Sequence, residues 1–202
     1  MAPDGTIGTL AGTGVPGGLG DGGPAFLASV SDPRDVAVFN NTLYIADFGH
    51  DRIRAVNLTD GSITTFVQLN NPVAIVVDSG GNLFVARNDQ VDKVTPDGTV
   101  TIYAGGNPAD TLANPLGDGL PADNATLNSP SGLALSATGE LFIADRDNDR
   151  IRRISAPPNP IVTTVAGGNN LAFPDVGDGG AATSAELNEP ETLYPLQLFH
   201  CA

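Results

Sequence analysis

The sequence predicts an all-β protein made of repeated four-stranded antiparallel units, the arrangement of a β-propeller. One short motif occurs three times, as LYIA at 43–46, LFVA at 83–86 and LFIA at 141–144. The chain of 202 residues contains 25 Gly and 16 Pro, a composition typical of many short strands joined by tight turns. Four-stranded units of about 40 residues in series are the sequence signature of propeller blades.

The strands of each unit follow in a constant order. The first strand begins at a proline, where the missing N–H costs no ladder bond: Pro33, Pro72 and Pro130. The second strand is the recurring motif, which is rich in β-branched and aromatic residues. The third strand alternates apolar and polar residues, as half-buried strands do, at 52–56, 90–94 and 150–154. The fourth strand is predicted at 62–67, 99–104 and 161–166, twice after an Asp-Gly pair that favours a two-residue hairpin turn.

These strands define three repeats in one predicted domain, 1–202, with approximate bounds 30–67, 71–104 and 129–166. Partial strands are predicted at 4–12, which resembles a fourth strand, and at 188–198, which begins like a first strand. Exposed strand edges and blade faces favour association with another chain. The assembly candidates in these segments are Thr6, Ile7, Leu10, Leu193 and Leu196. Three arrangements remain open: part of a longer propeller, two copies that complete a ring, and copies joined head to tail in a fibre.

The third unit reads GELFIAD at 139–145 and NDRIR at 148–152, and the first unit has Asp47 followed by RIR at 52–54. This pattern resembles the NHL repeat family, and the resemblance implies a propeller fold. It also implies that the acid after Ile-Ala is structural. Such an acid either accepts hydrogen bonds from the backbone or pairs with the arginine of the following strand, as Asp47 with Arg52 and Asp145 with Arg150. The middle unit departs from the pattern, because Arg87 stands in place of the acid.

Glycine-rich insertions precede some of the first strands, at 20–25, 117–122 and 177–182, whereas the junction at 67–72 has none. Their acids, Asp21, Asp118 and Asp178, allow two interpretations. Gly and Asp are the default residues of tight turns with positive φ, which is the favoured interpretation. The alternative is a ring of acids that binds a cation or ligand at a central axis.

One loop has the alternating acids of a calcium site, Asp145, Asp147 and Asp149. Hard oxygen ligands at the first, third and fifth positions suit Ca²⁺. The loop has Arg150 where a calcium loop has Gly, and Pro157 where it has the distal Glu, so a hairpin turn is the favoured interpretation. No other cofactor is expected.

The net charge and the histidine content exclude several classes of partner and activity. Nine basic and 23 acidic residues give a net charge of −14, which disfavours nucleic acid as a partner. No apolar stretch approaches the length of a membrane span. Some NHL-like propellers are lyases with histidine-rich metal centres, but this chain has only His50 and His200, and Cys201 is the single cysteine. We therefore predict a protein that is not an enzyme.

Three sequons, at Asn40, Asn57 and Asn124, lie in predicted loops and are candidates for glycosylation. Together with the acidic charge and a single lysine, they favour an extracellular or cell-surface location. The function predicted is an extracellular structural or interaction scaffold whose partner is a protein, either a second copy or the rest of a larger propeller. The alternative is a ligand-binding or catalytic propeller with an axial site, of the lyase or lactonase kind.

Overall fold

A computed structural model describes residues 5–15, 17, 20–106, 114–168, 177 and 179–194. The chain forms two compact units, residues 1–75 and 76–202. In the described ranges, the regular structure consists of β-strands and five short 3-10 turns, without an α-helix. The prediction of an all-β fold with four-stranded antiparallel sheets is confirmed.

Each of the three sheets uses four strands in chain order. The first sheet contains β1 (Pro33–Phe39), β2 (Thr42–Asp47), β3 (Arg52–Asn57) and β4 (Ile63–Gln68). The second contains β5 (Pro72–Val77), β6 (Leu83–Arg87), β7 (Gln90–Val94) and β8 (Val100–Gly105), and the boundary between the two units falls within β5. The third contains β9 (Pro130–Leu135), β10 (Leu141–Asp145), β11 (Arg150–Ile154) and β12 (Val162–Gly167).

The two Asp-Gly pairs lie in longer connections than the predicted two-residue turns, at 58–62 and 95–99. The Asp60 carboxylate accepts the backbone N–H of Ser62 at 2.8 Å, and Asp97 accepts that of Thr99 at 3.1 Å. These carboxylates satisfy N–H groups that a ladder would otherwise use, so the strands end earlier. The glycines still take the left-handed conformation expected of them, with φ of +71° at Gly61 and +84° at Gly98.

The glycine-rich insertions cover the outer strands of the first and third sheets. Ile63 on β4 exchanges backbone hydrogen bonds with Gly22 and Gly23, at 2.8 and 3.0 Å. Val162 on β12 does the same with Gly119 and Leu120, at 2.8 and 3.0 Å. Both side chains are fully buried. The second sheet has no insertion before it, and Val100, the equivalent residue on β8, is 38% exposed. The insertions therefore protect sheet edges that would otherwise be open.

The core of the first sheet includes side chains from its insertion. Ala25 and Ala28 are buried against a cluster formed by Ile45, Val56 and Ile63. In the third sheet, Ala122 and Ala125 are buried in the same sequence positions. The Pro-Ala-x-x-Ala pattern thus supplies small side chains that let the insertion approach the sheet closely.

The described parts of the two predicted partial strands are not strands in the structure. Residues 5–12 and 188–194 belong to no ladder, while residues 4 and 195–198 lie outside the described residues. Gly12 and Thr13 donate backbone hydrogen bonds to Ala25 and Ala28, each at 3.0 Å. A strand is defined by its ladder, and no third strand of the same unit accompanies either segment in the described ranges. Residues with a high strand propensity are therefore not sufficient to form a strand in these two segments.

No helix in the described part of the chain has the length and apolar character needed to cross a membrane.

Candidate functional site

A buried charge cluster lies in the first sheet, between β2 and β3. The Asp47 carboxylate is completely buried, and it accepts hydrogen bonds from the backbone N–H of Ser31 at 2.7 Å and from Arg52 Nε at 2.8 Å. His50 Nδ1 lies 3.0 Å from the same carboxylate. The predicted pair of Asp47 with Arg52 is confirmed. A buried carboxylate with several hydrogen-bonding partners is a structural group, as the family resemblance implied.

Arg54 joins this cluster to the insertion. Its guanidinium is fully buried, lies 3.7 Å from Asp47, and donates to the Ser29 carbonyl at 3.0 Å and to Asp21 at 2.6 Å. The other Asp21 oxygen accepts the N–H of Thr65 at 3.1 Å. Burial acts to raise the pKa of Asp21, but the hydrogen bonds from Thr65 and the charge of Arg54 outweigh it and lower that pKa. Asp21 thus fastens the insertion to the sheet.

The third sheet repeats this arrangement, but the ion pair of Asp145 differs from the predicted one. Buried Arg152 donates to Asp145 at 3.1 Å and to Asp118 of the insertion at 2.9 Å. The predicted partner of Asp145, Arg150, is wrong: its guanidinium instead donates to the carbonyls of Asn148 at 2.7 Å and Gly168 at 3.2 Å. Two backbone carbonyls within reach satisfy Arg150, and Arg152 already supplies the buried cation. Asp178 of the last insertion lies outside the described residues.

The second sheet carries the same pair with its charges exchanged. Arg87 on β6 stands in the position of Asp47 and Asp145, and buried Asp92 on β7 stands in the position of Arg54 and Arg152. Arg87 Nε donates to Asp92, and Gln90 donates to it at 2.6 Å. No insertion precedes this sheet. An arginine on β7 would therefore have no insertion acid as a partner. Alignment of QVDKV with RIRAV and RIRRI contains this signal, which the sequence analysis missed.

Successive repeats are joined by a recurring hydrogen bond between a backbone N–H and an Asp carboxylate. At three junctions, the residue before a proline has a left-handed backbone, and its N–H is accepted by an Asp in the turn between the second and third strands of the preceding repeat. The donor, acceptor and distance are Asn71 to Asp51 at 2.9 Å, Ser129 to Asp89 at 3.1 Å, and Glu189 to Asp149 at 2.9 Å. Asp32 has the same place and conformation before β1, with φ of +46°.

We expect Asp51→Ala to lower the free energy of unfolding by about 2–3 kcal/mol. The variant loses a hydrogen bond worth about 1 kcal/mol, and it puts alanine at a left-handed position, where φ is +54°, at a cost of about 1–2 kcal/mol. Asp51→Asn retains a side-chain oxygen and tolerates this conformation, so its loss should be well under half as large. Urea denaturation measures both variants. Equal losses would contradict the junction role of the carboxylate.

The exposed face of β1 is the clearest candidate for binding. Val36, Ile75 and Leu133 are equivalent, each the third residue after the first-strand proline. Ile75 and Leu133 are only 3% and 5% exposed, whereas Val36 is 55% exposed. Within the compact unit 76–202, β6 of the second sheet packs against β9, the strand of the third sheet that contains Leu133. Within the described residues, no sheet precedes β1 in the chain, and Val36 is left uncovered.

Val36 lies in an apolar groove, which we call the open face. Its walls come from β1, β2 and the segment 9–14, and the side chains that line it include Leu10, Val30, Pro33, Val36, Leu43 and Ile45. Of the assembly candidates, Leu10 contributes to the groove and is 50% exposed, while Ile7 is 92% exposed. Thr6 lies in the same exposed segment. The assembly role of these residues stays a prediction.

A second groove lies in the unit 76–202, beside β9. Leu193 and Tyr194 line it together with Leu135 and Phe142. The segment before them lies over β9, since Ser131 Oγ is 3.0 Å from the Pro190 carbonyl and 3.1 Å from the Glu191 carbonyl, and its one O–H is shared between them. Leu193 is thus placed as the equivalent of Val36 and Ile75. Leu196, His200 and Cys201 lie outside the described residues.

The three acids of the calcium-like loop have different partners. Asp145 is buried against Arg152, Asp147 accepts a hydrogen bond from Ser129 Oγ at 2.7 Å, and Asp149 caps the N–H of Glu189. The 3-10 turn Arg146–Asn148 contains Asp147 and lies between Asp145 and Asp149. No group of three or more His, Cys, Asp or Glu side chains suited to a metal occurs among the described residues. Burial raises the pKa of Asp145 against hydrogen bonds from Asn148, Asn128 and Arg152.

Comparison with protein families supports the repeat assignment. The model of the teneurin NHL domain matches residues 63–155, which include the buried pairs of the second and third sheets. The repeats within these residues are therefore of the NHL type. The NHL repeats are similar to teneurin-3 of Mus musculus, at 34% identity over 52% of the chain and 4% of that protein. They are also similar to teneurin-m of Drosophila melanogaster, at 28% identity over 67% of the chain and 6% of that protein. The chain therefore spans only a small part of these relatives.

Solved structures share the fold of the NHL repeats. A protein of unknown function from Bacteroides thetaiotaomicron aligns with a TM-score of 0.65 at 21% identity, over 81% of this chain and 42% of that one. An auxiliary nutrient binding protein from Bacteroides ovatus aligns with a TM-score of 0.63 at 21% identity, over 82% and 43%. A streptogramin B lyase aligns with a TM-score of 0.51 at 14% identity, over 82% and 45%. At these identities, the likeness concerns the fold alone.

Proposed function

We propose that this chain is a non-enzymatic extracellular scaffold that binds a second copy of itself through the open face. The exposure of Val36 carries the proposal, because both equivalent side chains in the same protein are buried. A contiguous apolar groove on a repeat protein favours contact with another protein surface. Ring closure and head-to-tail fibres are the two forms that such contact takes.

The polar surroundings of the open face match a sheet of the same repeat type. At each internal junction, an Asp of one unit accepts the N–H of the left-handed residue that opens the next unit. Asp32 presents the same left-handed backbone at the edge of the open face, and its carboxylate pairs with Arg34 at 2.7 Å. A partner that brings an apolar sheet face and a turn acid would reproduce the internal junction.

The relatives and the acids support the scaffold interpretation over the axial-site alternative. The matched relatives are teneurins, which are extracellular or cell-surface proteins, and the acidic, lysine-poor surface suits the same setting. The insertion acids Asp21 and Asp118 are each engaged with a buried arginine of their own sheet. Their side chains therefore stabilise the fold, which leaves them poorly suited to a shared cation or ligand site.

A single substitution tests the binding face. Val36→Arg puts a cation into the apolar groove, whose burial against a partner costs several kcal/mol. Light scattering coupled to size exclusion, over a wide range of concentration, should show that the unaltered chain gains mass and that Val36→Arg stays monomeric. Leu58→Arg is the matched control, because Leu58 is also exposed, at 39%, but lies outside the groove. It should associate like the unaltered chain.

Two outcomes would contradict the proposal. One is an unaltered chain that remains monomeric at every concentration, which excludes a second copy as the partner. The other is equal association of Val36→Arg and the unaltered chain, which places the contact elsewhere. Negative-stain microscopy of the associated sample separates closed rings from fibres.

A further inference from the structure

We propose that Asn40 and Asn57 are N-glycosylation sites and that Asn124 is not, although all three stand in sequons. The acceptor is the side-chain amide nitrogen, and the donor is an oligosaccharide activated at its first carbon by a lipid diphosphate. The new bond joins that carbon to the amide nitrogen, the carbon–oxygen bond to the diphosphate breaks, and the amide loses one proton. This inference rests on the extracellular route proposed above.

Asn57 has the surface position and the local geometry of an acceptor. It lies at the end of β3, and Asn57, Leu58 and Thr59 are all exposed. The Asn57 side-chain oxygen accepts the backbone N–H of Thr59 at 2.8 Å, which holds the sequon in a tight turn. Its amide nitrogen donates to Asp60 at 3.3 Å. An amide has two hydrogens, so one remains for Asp60 after glycosylation.

Asn40 lies at the same edge of the first sheet. It forms the exposed turn between β1 and β2, with a left-handed backbone at φ of +50°. Thr42, the third residue of its sequon, is paired directly with Asn57 across β2 and β3. Neither asparagine lines the open face. Glycans at this edge would therefore leave the proposed binding groove accessible.

Asn124 has the same sequence signal in a different environment. It ends the 3-10 turn Ala122–Asn124 and is only half exposed. The next residue, Ala125, is fully buried, and the Thr126 hydroxyl is buried as well. A branched sugar at this position would displace the insertion from the sheet. We therefore expect Asn124 to be unmodified in the folded protein.

Secretion of the full chain from a eukaryotic cell, behind a cleavable signal, tests all three sites. Glycopeptide mass spectrometry should find sugar at Asn40 and Asn57 and none at Asn124. Thr42→Val and Thr59→Val should each remove one glycan, Thr59→Ser should keep it, and Thr126→Val should change nothing. Treatment with a peptide N-glycosidase should convert the two modified asparagines to aspartate.

Sugar at Asn124, or the absence of sugar from either Asn40 or Asn57 in the secreted folded chain, would overturn the proposal. Asn57→Gln and Asn40→Gln provide independent variants if a Thr→Val protein fails to fold. The added signal supplies the secretory route, so a negative result concerns these sites alone. The association measurements with Val36→Arg report separately on the open face.

Discussion

Arg152→Met is expected to lower the free energy of unfolding by about 3–5 kcal/mol. Arg152 and Asp145 are both fully buried, and Arg152 is the only arginine in an ion pair with Asp145 among the described residues. Without the guanidinium, a carboxylate stays in the protein interior with no cation beside it, which is far more costly than the loss of one hydrogen bond. The change also frees Asp118, and with it one attachment of the insertion. Urea denaturation provides the measurement.

Two matched variants separate the buried charge from general effects of an Arg→Met change. Arg153→Met, the next residue on β11, loses an exposed pair with Glu140 and should cost at most about 1 kcal/mol. Arg54→Met should cost less than Arg152→Met, because Arg52 remains at 2.8 Å from Asp47 in the first sheet. Equal losses for Arg152→Met and Arg153→Met would contradict the argument.

The same variant should acquire a distinct pH dependence. Burial raises the pKa of Asp145 above its ordinary value of 3.8, and removal of Arg152 acts in the same direction. The folded state then binds a proton that the unfolded state releases. The resulting stabilisation is fully present below the unfolded pKa and is lost as pH rises through the folded pKa. Adding Asp145→Asn should abolish this pH dependence and recover part of the stability.

Asp92→Arg is expected to be as damaging, with a loss of about 3–5 kcal/mol, since it puts a second guanidinium beside Arg87 in the position of a buried acid. The double variant Arg87→Asp/Asp92→Arg should recover most of this loss, because it gives the second sheet the charge order of the first and third. A double-mutant cycle measured by urea denaturation should give a favourable coupling of at least about 2 kcal/mol.

Recovery in the double variant should be incomplete, by about 1 kcal/mol. In the third sheet, Arg152 also donates to Asp118 of the insertion, and the second sheet is preceded only by residues 69–71, without an insertion. The introduced arginine would therefore lack one partner. A double variant no more stable than Asp92→Arg alone would contradict the exchanged-pair interpretation, whereas full recovery would show that the insertion acid adds nothing.

The insertions and the buried pairs thus act together. A buried arginine on the third strand binds the acid of the insertion, and the insertion covers the outer strand of the same sheet. Where the charges are exchanged, the insertion is absent and the outer strand is more exposed, as at Val100. Asp21 and Asp118, two of the three acids that suggested an axial ligand site, thus contribute to edge protection.

The sequence alone determined the all-β fold, the order of the strands and the resemblance to NHL repeats. The proline that begins each first strand and the repeated Leu-aromatic-branched-Ala motif are local signals. Local propensity and period-two alternation decide strand formation. The pair of Asp47 with Arg52 was also predictable, because it follows the family pattern. The exchange of Arg87 and Asp92 was readable in the alignment of the three units.

Tertiary structure decided which of these residues lie together and which surfaces are covered. The choice of Arg152 over Arg150 as the partner of Asp145 depends on backbone carbonyls of Asn148 and Gly168, which no sequence motif specifies. The exposure of Val36 depends on what packs over β1, although its sequence position is equivalent to those of buried Ile75 and Leu133. Burial depends on non-local packing, so equivalent positions of the repeat have different environments in one chain.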